Sequence, residues 1–302
     1  MSLVKKILNP YLRWTEKPHL QRATPEKMRR SIEMKAKLFF WRPLGTRYGK
    51  RDLHHEGRIL RAVTVNTPKD QGPLVLYFHG GGYVFGSPHT HKAMLAKLAQ
   101  ISGCAAVLPH YRLAPEHAFP APPEDAMTAY RAVMDYPGGV VLGGDSAGGG
   151  LALSLLGEIT RLGLQQPVGT FAFSPLTDLR FSTPSIVKND PVDVVLPGAR
   201  VGEFADVYLQ GGDPTDPRAS PLLAKFEGAS PVWITVGDTE ILLDDATRMA
   251  EVLRAQGVDV TLTVEDNLPH VWPIFHNMLP EARSTIQALA SWIADRSACG
   301  TR

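Results

Sequence analysis

The stretch Gly144-Asp145-Ser146-Ala147-Gly148-Gly149 constrains this chain more than any other. Val140-Val141-Leu142-Gly143 before it is short, apolar and β-branched, the pattern of a buried strand. Gly150-Leu151-Ala152-Leu153-Ser154-Leu155-Leu156 after it is rich in helix formers. A serine at a strand-to-helix turn, with a glycine two positions away on either side, has the G-x-S-x-G form of a nucleophile elbow. In so sharp a turn, side chains at the glycine positions would strike backbone. The serine itself is held strained, with its hydroxyl at a helix N-terminus that favours developing negative charge. Five residues alone also fit a Gly-rich turn with an incidental serine; the flanking strand and helix favour the nucleophile.

Around this turn, β-branched and aromatic runs alternate with helical ones. Strands are expected at 58–66, Leu74–Phe78, Ala105–Leu108, Val140–Leu142, Thr170–Phe173, Val232–Val236 and Val260–Val264. Helices are expected near 90–101, 122–135, 149–162, 245–256 and 281–295. Strands separated by single helices imply an α/β fold with a mostly parallel sheet covered on both faces. The stretch between Phe173 and Val232 is too long for a bare loop. With a helical segment near 198–209 and a turn-rich Gly211–Pro217, it reads as an insertion capping the C-terminal ends of the strands.

Residues 1–50 look helical, with Thr24-Pro25-Glu26 as a helix start: an N-cap, a proline at the first position and an acid in the first turn. That helix runs towards Leu38-Phe39-Phe40-Trp41, an apolar cluster expected to cover part of the body. The domain reading is an arm at 1–50 that forms part of a cap, a catalytic domain at 51–177 and 216–302, and a cap insertion at 178–215. Residues 1–51 hold 14 Lys and Arg against 3 Glu, a net of +11, which leaves the rest of a +2 chain at −9. Such a run suits an anionic membrane surface or nucleic acid, but reads first as the solvated face of helices lying on an acidic body. The two cysteines, Cys104 and Cys299, suggest neither a disulfide framework nor a metal site, and fit a reducing cytoplasm. The first ten residues lack a signal peptide's apolar core, and no apolar run is long enough to span a bilayer.

His79-Gly80-Gly81-Gly82 follows directly on the strand Leu74–Phe78. Acyl transfer to a serine needs donors aimed at the oxyanion, and backbone N–H groups bared by glycines supply them without reorganisation. A G-x-S-x-G site takes its partners in the chain order Ser, acid, His. Only His270 and His276 follow Ser146. His270 lies in a loop after the strand ending at Val264, where it can reach the catalytic face, whereas His276 reads as a surface or packing residue. Four carboxylates follow the strand Val232–Val236: Asp238, Glu240, Asp244 and Asp245. One of the last two is expected to cap the next helix, which leaves Asp238 and Glu240 as candidate acids.

Three motifs in order, His79-Gly80-Gly81-Gly82, Tyr111-Arg112-Leu113-Ala114-Pro115-Glu116 and Gly144–Gly149, resemble those of the bacterial hormone-sensitive-lipase-type esterases of the α/β-hydrolase fold. The resemblance covers most of residues 60–297. It implies an eight-stranded sheet with a helical cap, and hydrolysis of short to medium carboxylic esters without a cofactor. By the same resemblance Gly81, Gly82 and Ala147 supply the oxyanion N–H groups, and Tyr111–Glu116 braces the loops beneath the site. The family's Asp-Pro-Leu-x-Asp-Glu is replaced here by Glu240-Ile241-Leu242-Leu243-Asp244-Asp245. Matching Leu242 and the acidic pair puts Glu240 at the acid position, with Asp238 as the alternative.

The expected partner is a small-molecule ester, with no nucleic acid and no integral membrane segment. A homodimer through an edge strand such as Val260–Val264 is an analogy. Lactone and amide hydrolysis share the chemistry and stay open. A non-catalytic receptor of this fold is disfavoured because such receptors lack the histidine that His270 provides.

Overall fold

A computed structural model of the chain describes residues 2–66 and 72–299, the side chains of residues 298 and 299 excepted. The Cys299 side chain therefore lies outside the described residues; Cys104 is buried and unpaired. Eight strands form one sheet: β1 (Tyr48–His55), β2 (Arg58–Val65), β3 (Leu74–Phe78), β4 (Ala105–Pro109), β5 (Val140–Asp145), β6 (Gly169–Phe173), β7 (Val232–Gly237) and β8 (Val260–Glu265). Their order is β1-β2-β4-β3-β5-β6-β7-β8, with β1–β2 and β2–β4 antiparallel and the rest parallel.

The strands β3 to β7 are buried along their whole length, and β3 and β4 are apolar without interruption, because both of their faces are covered. Successive residues alternate between two cores. Leu74, Leu76 and Phe78 of β3 join the core beneath α4 (Ala121–Arg131), α5 (Ser146–Arg161) and α8 (Leu243–Ala255). Val75 and Tyr77 join the opposite core, beneath α3 (Pro88–Ser102) and α9 (Pro280–Cys299).

All seven expected strands are present; β1 is the addition. Its Tyr-Gly-Lys-Arg-Asp-Leu-His-His carries no apolar alternation, and only Leu53 is buried. A polar edge strand needs no apolar face and resists pairing with other chains, which is why pattern alone passed over it. The helical character read into residues 1–50 ends at Phe39, after α1 (Leu3–Arg22) and α2 (Pro25–Phe39). Between β6 and β7 lie α6 (Pro184–Lys188) and α7 (Val201–Leu209), with short 3₁₀ turns at 198–200 and 221–223.

The chain runs from β3 to β4 on one side of the sheet and then crosses to β5 on the other. A crevice opens at such a reversal, outside the C-terminal ends of the strands. Here Phe78 pairs with Gly144, and Asp145 with Phe173, so the loop after β3 and the turn after β5 emerge side by side.

The arm is fastened over this crevice by side chains reaching backbone carbonyls. Lys5 Nζ donates to Asp266 O (2.6 Å), and Arg13 donates to Pro191 O and Val192 O (3.0 and 2.8 Å). Arg200, from the segment between β6 and β7, donates to Leu20 O and Ala23 O (2.6 and 2.9 Å). Arg29 on α2 reaches Val84 O and Ala114 O (2.8 Å each) and forms a two-pronged pair with Glu116 at 2.7 Å. Among the described residues no helix is long and apolar enough to cross a membrane.

Candidate active site

Ser146 opens α5 with φ of +52°, a left-handed conformation that costs a residue with a side chain about 1–2 kcal/mol. The packing requires it. A Cβ at Gly144 would lie 2.1 Å from Gly148 O, and one at Gly148 would lie 2.2 Å from Phe78 O. Only bare backbone lets the helix start this close to the strand ends. The loop after β3 is equally crowded: Gly81, at φ +120°, has Phe85 O where a Cβ would stand, 2.1 Å away. Gly80 N–H is committed to Asp145 Oδ1 (3.0 Å), while the N–H groups of Gly81 and Gly82, and of Ala147 in the first turn of α5, have no acceptor among the described residues.

His270 stands in the loop after β8, buried, with Nδ1 2.6 Å from Glu240 Oε2. Burial works to lower the imidazole's pKa, but the facing Glu240 carboxylate outweighs it and holds the pKa above its ordinary 6.5. The other Glu240 oxygen accepts from Gly237 N–H (2.6 Å) and from the Ser174 hydroxyl (2.7 Å). Both oxygens of a carboxylate that is 1 % exposed are thus satisfied. Asp238 points elsewhere: its Oδ1 accepts from Asn267 N–H at 2.6 Å. His276 packs in the interior with Nδ1 3.2 Å from Ile274 O, and burial lowers its pKa to about 4.

Ser146, His270, Gly81 and Gly82 open onto one cavity of about 500 Å³. Its walls are mostly apolar and come from α1, α2, the loop after β3 and the segment between β6 and β7. Phe39 and Phe40 line it, and Phe40 also packs edge-on against Phe275 with centroids 6.0 Å apart. The expectation that the whole Leu38–Trp41 cluster covers the body holds for only part of it. Leu38 and Trp41 are 61 % and 57 % exposed: Leu38 lies on the outer face of α2 with Met34, and Trp41 stands beyond the end of the helix.

The family model for the alpha/beta hydrolase fold matches residues 75–274. An acetyl-hydrolase of Streptomyces hygroscopicus is 36% identical over 242 residues, spanning 79% of this chain and 80% of that one. A crystal structure of an esterase from the bacterial hormone-sensitive lipase family superposes with a TM-score of 0.90 at 34% identity, covering 98% of this chain and 99% of that one. This chain belongs to the hormone-sensitive-lipase-type esterases of the α/β-hydrolase fold. The esterase EstE5, in crystals soaked with p-nitrophenyl butyrate, is likewise similar: 35% identity, a TM-score of 0.90, and coverage of 99% and 100%.

Several supporting residues in this esterase escaped the sequence reading. Asp145, inside the elbow motif, is buried and accepts from the Tyr77 hydroxyl (2.6 Å), from Gly80 N–H and, at 3.3 Å, from His91 Nε2. Burial pushes this carboxyl's pKa up, but His91 and the Tyr77 hydrogen bond outweigh it and hold it below the usual range. His79 stacks on Tyr111 at 4.5 Å and is kept neutral, its pKa lowered to about 3 by burial and by His91. Asp145 thereby ties the elbow to the glycine loop from beneath. No spacing rule marks His91 or Tyr77 as its partners. Asp193 accepts from Ile241, Val195 and Leu196 N–H, which pins the Glu240 loop to the segment between β6 and β7.

The expected helix cap is overturned. Neither Asp244 nor Asp245 caps α8, whose N-cap is Leu242 without a side-chain hydrogen bond. Asp244 Oδ2 accepts from Ser185 N–H, and Asp245 Oδ1 from the N–H groups of Thr177 and Asp178. Tertiary donors on the inserted segment outcompete the helix's own N–H groups. Asp245 Oδ2 is buried without a partner, and burial raises the carboxyl's pKa to about 7. A carboxyl whose pKa is raised by folding destabilises the fold as pH climbs from about 4 towards 7, because the unfolded chain ionises first. Asp245→Asn removes that penalty. Its melting temperature relative to wild type should therefore be higher at pH 8 than at pH 5, and an equal offset at both would refute the assignment.

Proposed function

We propose that this esterase hydrolyses short to medium carboxylic esters through Ser146, His270 and Glu240. The supporting observation is the buried imidazole–carboxylate pair at 2.6 Å, opening onto the same cavity as a serine held at φ +52° beside a glycine loop. Glu240 holds Nδ1–H of His270, so Nε2 is free to take the Ser146 proton as Oγ attacks the ester carbonyl. The N–H groups of Gly81, Gly82 and Ala147 receive the oxyanion. Protonated His270 then gives its proton to the leaving alcohol, and water repeats the sequence on the acyl-enzyme to release the acid. No step calls for a metal or cofactor. Residues 2–40 and 178–215 act as the cap, which supplies most of the cavity's apolar wall.

A cavity of about 500 Å³ is the size that encloses a small-molecule ligand rather than a triglyceride. The rate profile over p-nitrophenyl esters is therefore expected to peak between about two and eight acyl carbons. Lactones assayed beside them test ring-opening on the same site. Activity that rises through long-chain triglycerides would overturn this reading.

A further inference from the structure

Among the described residues, nine of the fifteen exposed large hydrophobic side chains fall within residues 3–44. A merely solvated face has no use for them. On α1, Leu3, Ile7, Tyr11 and Trp14 are 73 %, 67 %, 47 % and 81 % exposed. At 3.6 residues per turn they fall within an arc of about 80°, a single outward stripe. On α2, Met34 and Leu38 follow one another at i and i+4, both exposed, and Trp41 and Leu44 (98 % exposed) continue beyond the helix.

The same two helices carry the chain's concentration of positive charge. Lys6, Arg22, Lys27, Arg30 and Lys37 are exposed, and none is in an ion pair among the described residues. Lys27, Arg30 and Lys37 share a face of α2 with Met34 and Leu38 by helical spacing. The arm's acids do not cancel them. Glu16 pairs with Lys35, Glu33 accepts from the Ser87 hydroxyl, and Glu26 lies in the first turn of α2.

We infer that the outer face of α1 and α2 docks on an anionic lipid surface. Trp and Leu side chains enter the headgroup boundary, and flanking Lys and Arg meet anionic headgroups, the arrangement of an interfacial helix. Charge complementarity selects this occupant, since a second copy would bring +11 against +11. The placement has a use. Ile7, Tyr11 and Phe39 are exposed and also line the cavity, so the docked face borders its mouth, and an ester dissolved in the contacted leaflet passes in without crossing bulk water. The docking stands apart from the proposed chemistry, and its test does not use hydrolysis as the readout.

The test is co-sedimentation with phosphatidylcholine vesicles made with and without phosphatidylglycerol, at low and high salt. Binding is expected on the anionic vesicles and weakens with salt. The double variant Arg30→Gln/Lys37→Gln is expected to lose roughly tenfold or more in partitioning, and Trp14→Ser/Leu38→Ser to lose it on every vesicle. Neither pair lines the cavity, so kcat/KM on soluble p-nitrophenyl butyrate should stay at the wild-type value and report a folded enzyme. Absence of binding to anionic vesicles, equal binding to neutral ones, or binding that survives both variants would overturn the inference. So would wild-type self-association that Trp14→Ser/Leu38→Ser abolishes, which would give the face to a second copy.

Discussion

Ser146→Ala is expected to lower kcat on p-nitrophenyl butyrate by roughly 10⁴- to 10⁶-fold while leaving the melting temperature close to wild type. The substitution removes one oxygen at a position whose backbone is fixed by its neighbours. Alanine bears the same left-handed strain at φ +52°, so folding is neither relieved nor burdened. On the proposed assignment the oxyanion N–H groups of Gly81, Gly82 and Ala147 persist, so the residual rate should exceed that of water. An organophosphate should label Ser146 alone in the wild type, and mass-spectrometric mapping of the adduct to another residue would overturn the nucleophile.

The second large effect separates two carboxylates two positions apart. Glu240→Gln is expected to cut kcat by roughly 10²- to 10⁴-fold, because the amide cannot stabilise the imidazolium and its NH₂ can hold the wrong tautomer. Asp238→Asn, which only disturbs a bond to Asn267 N–H, should cost no more than a few-fold. The pH profile gives an independent reading. As the proposed base, His270 must be neutral to accept a proton, so activity is expected to fall as pH drops through a pKa held above 6.5 by Glu240. Taking away that negative charge should move the acid limb of kcat/KM to lower pH in Glu240→Gln and leave it in place in Asp238→Asn. Should the two variants exchange behaviours, the acid is Asp238.

The parts of this site that were legible in the sequence are those where local sterics dictate residue type. Gly144 and Gly148 are written into the chain because nothing larger fits against Gly148 O and Phe78 O, and the buried strand β3 is a continuous apolar run for an equally local reason. Chain order singles out His270, which stands buried beside Glu240. What could not be read depends on pairs distant in sequence. His91 meets Asp145 across the boundary between α3 and the elbow, and Ser174 meets Glu240 over 66 residues. The same cause misdirected Asp244 and Asp245. As local sequence they look like helix caps, yet Ser185, Thr177 and Asp178 offer them N–H groups that only the folded insertion brings near. The outward placement of Leu38 and Trp41 is hidden too, since a sequence records that four apolar residues are adjacent but not which of them face away from the body.

The grip of Arg29 joins the arm to two loops at once. One guanidinium holds a carbonyl in the loop after the glycine run, a carbonyl in the Tyr111–Glu116 stretch and the Glu116 carboxylate. The arm is therefore a wall of the cavity and also a clamp on the segment that follows the glycine loop. On the proposed mechanism, Arg29 would join substrate range to rate. Loss of Arg29 would free the arm from the Val84 and Ala114 carbonyls together, while Asp145 would still hold Gly80 from beneath.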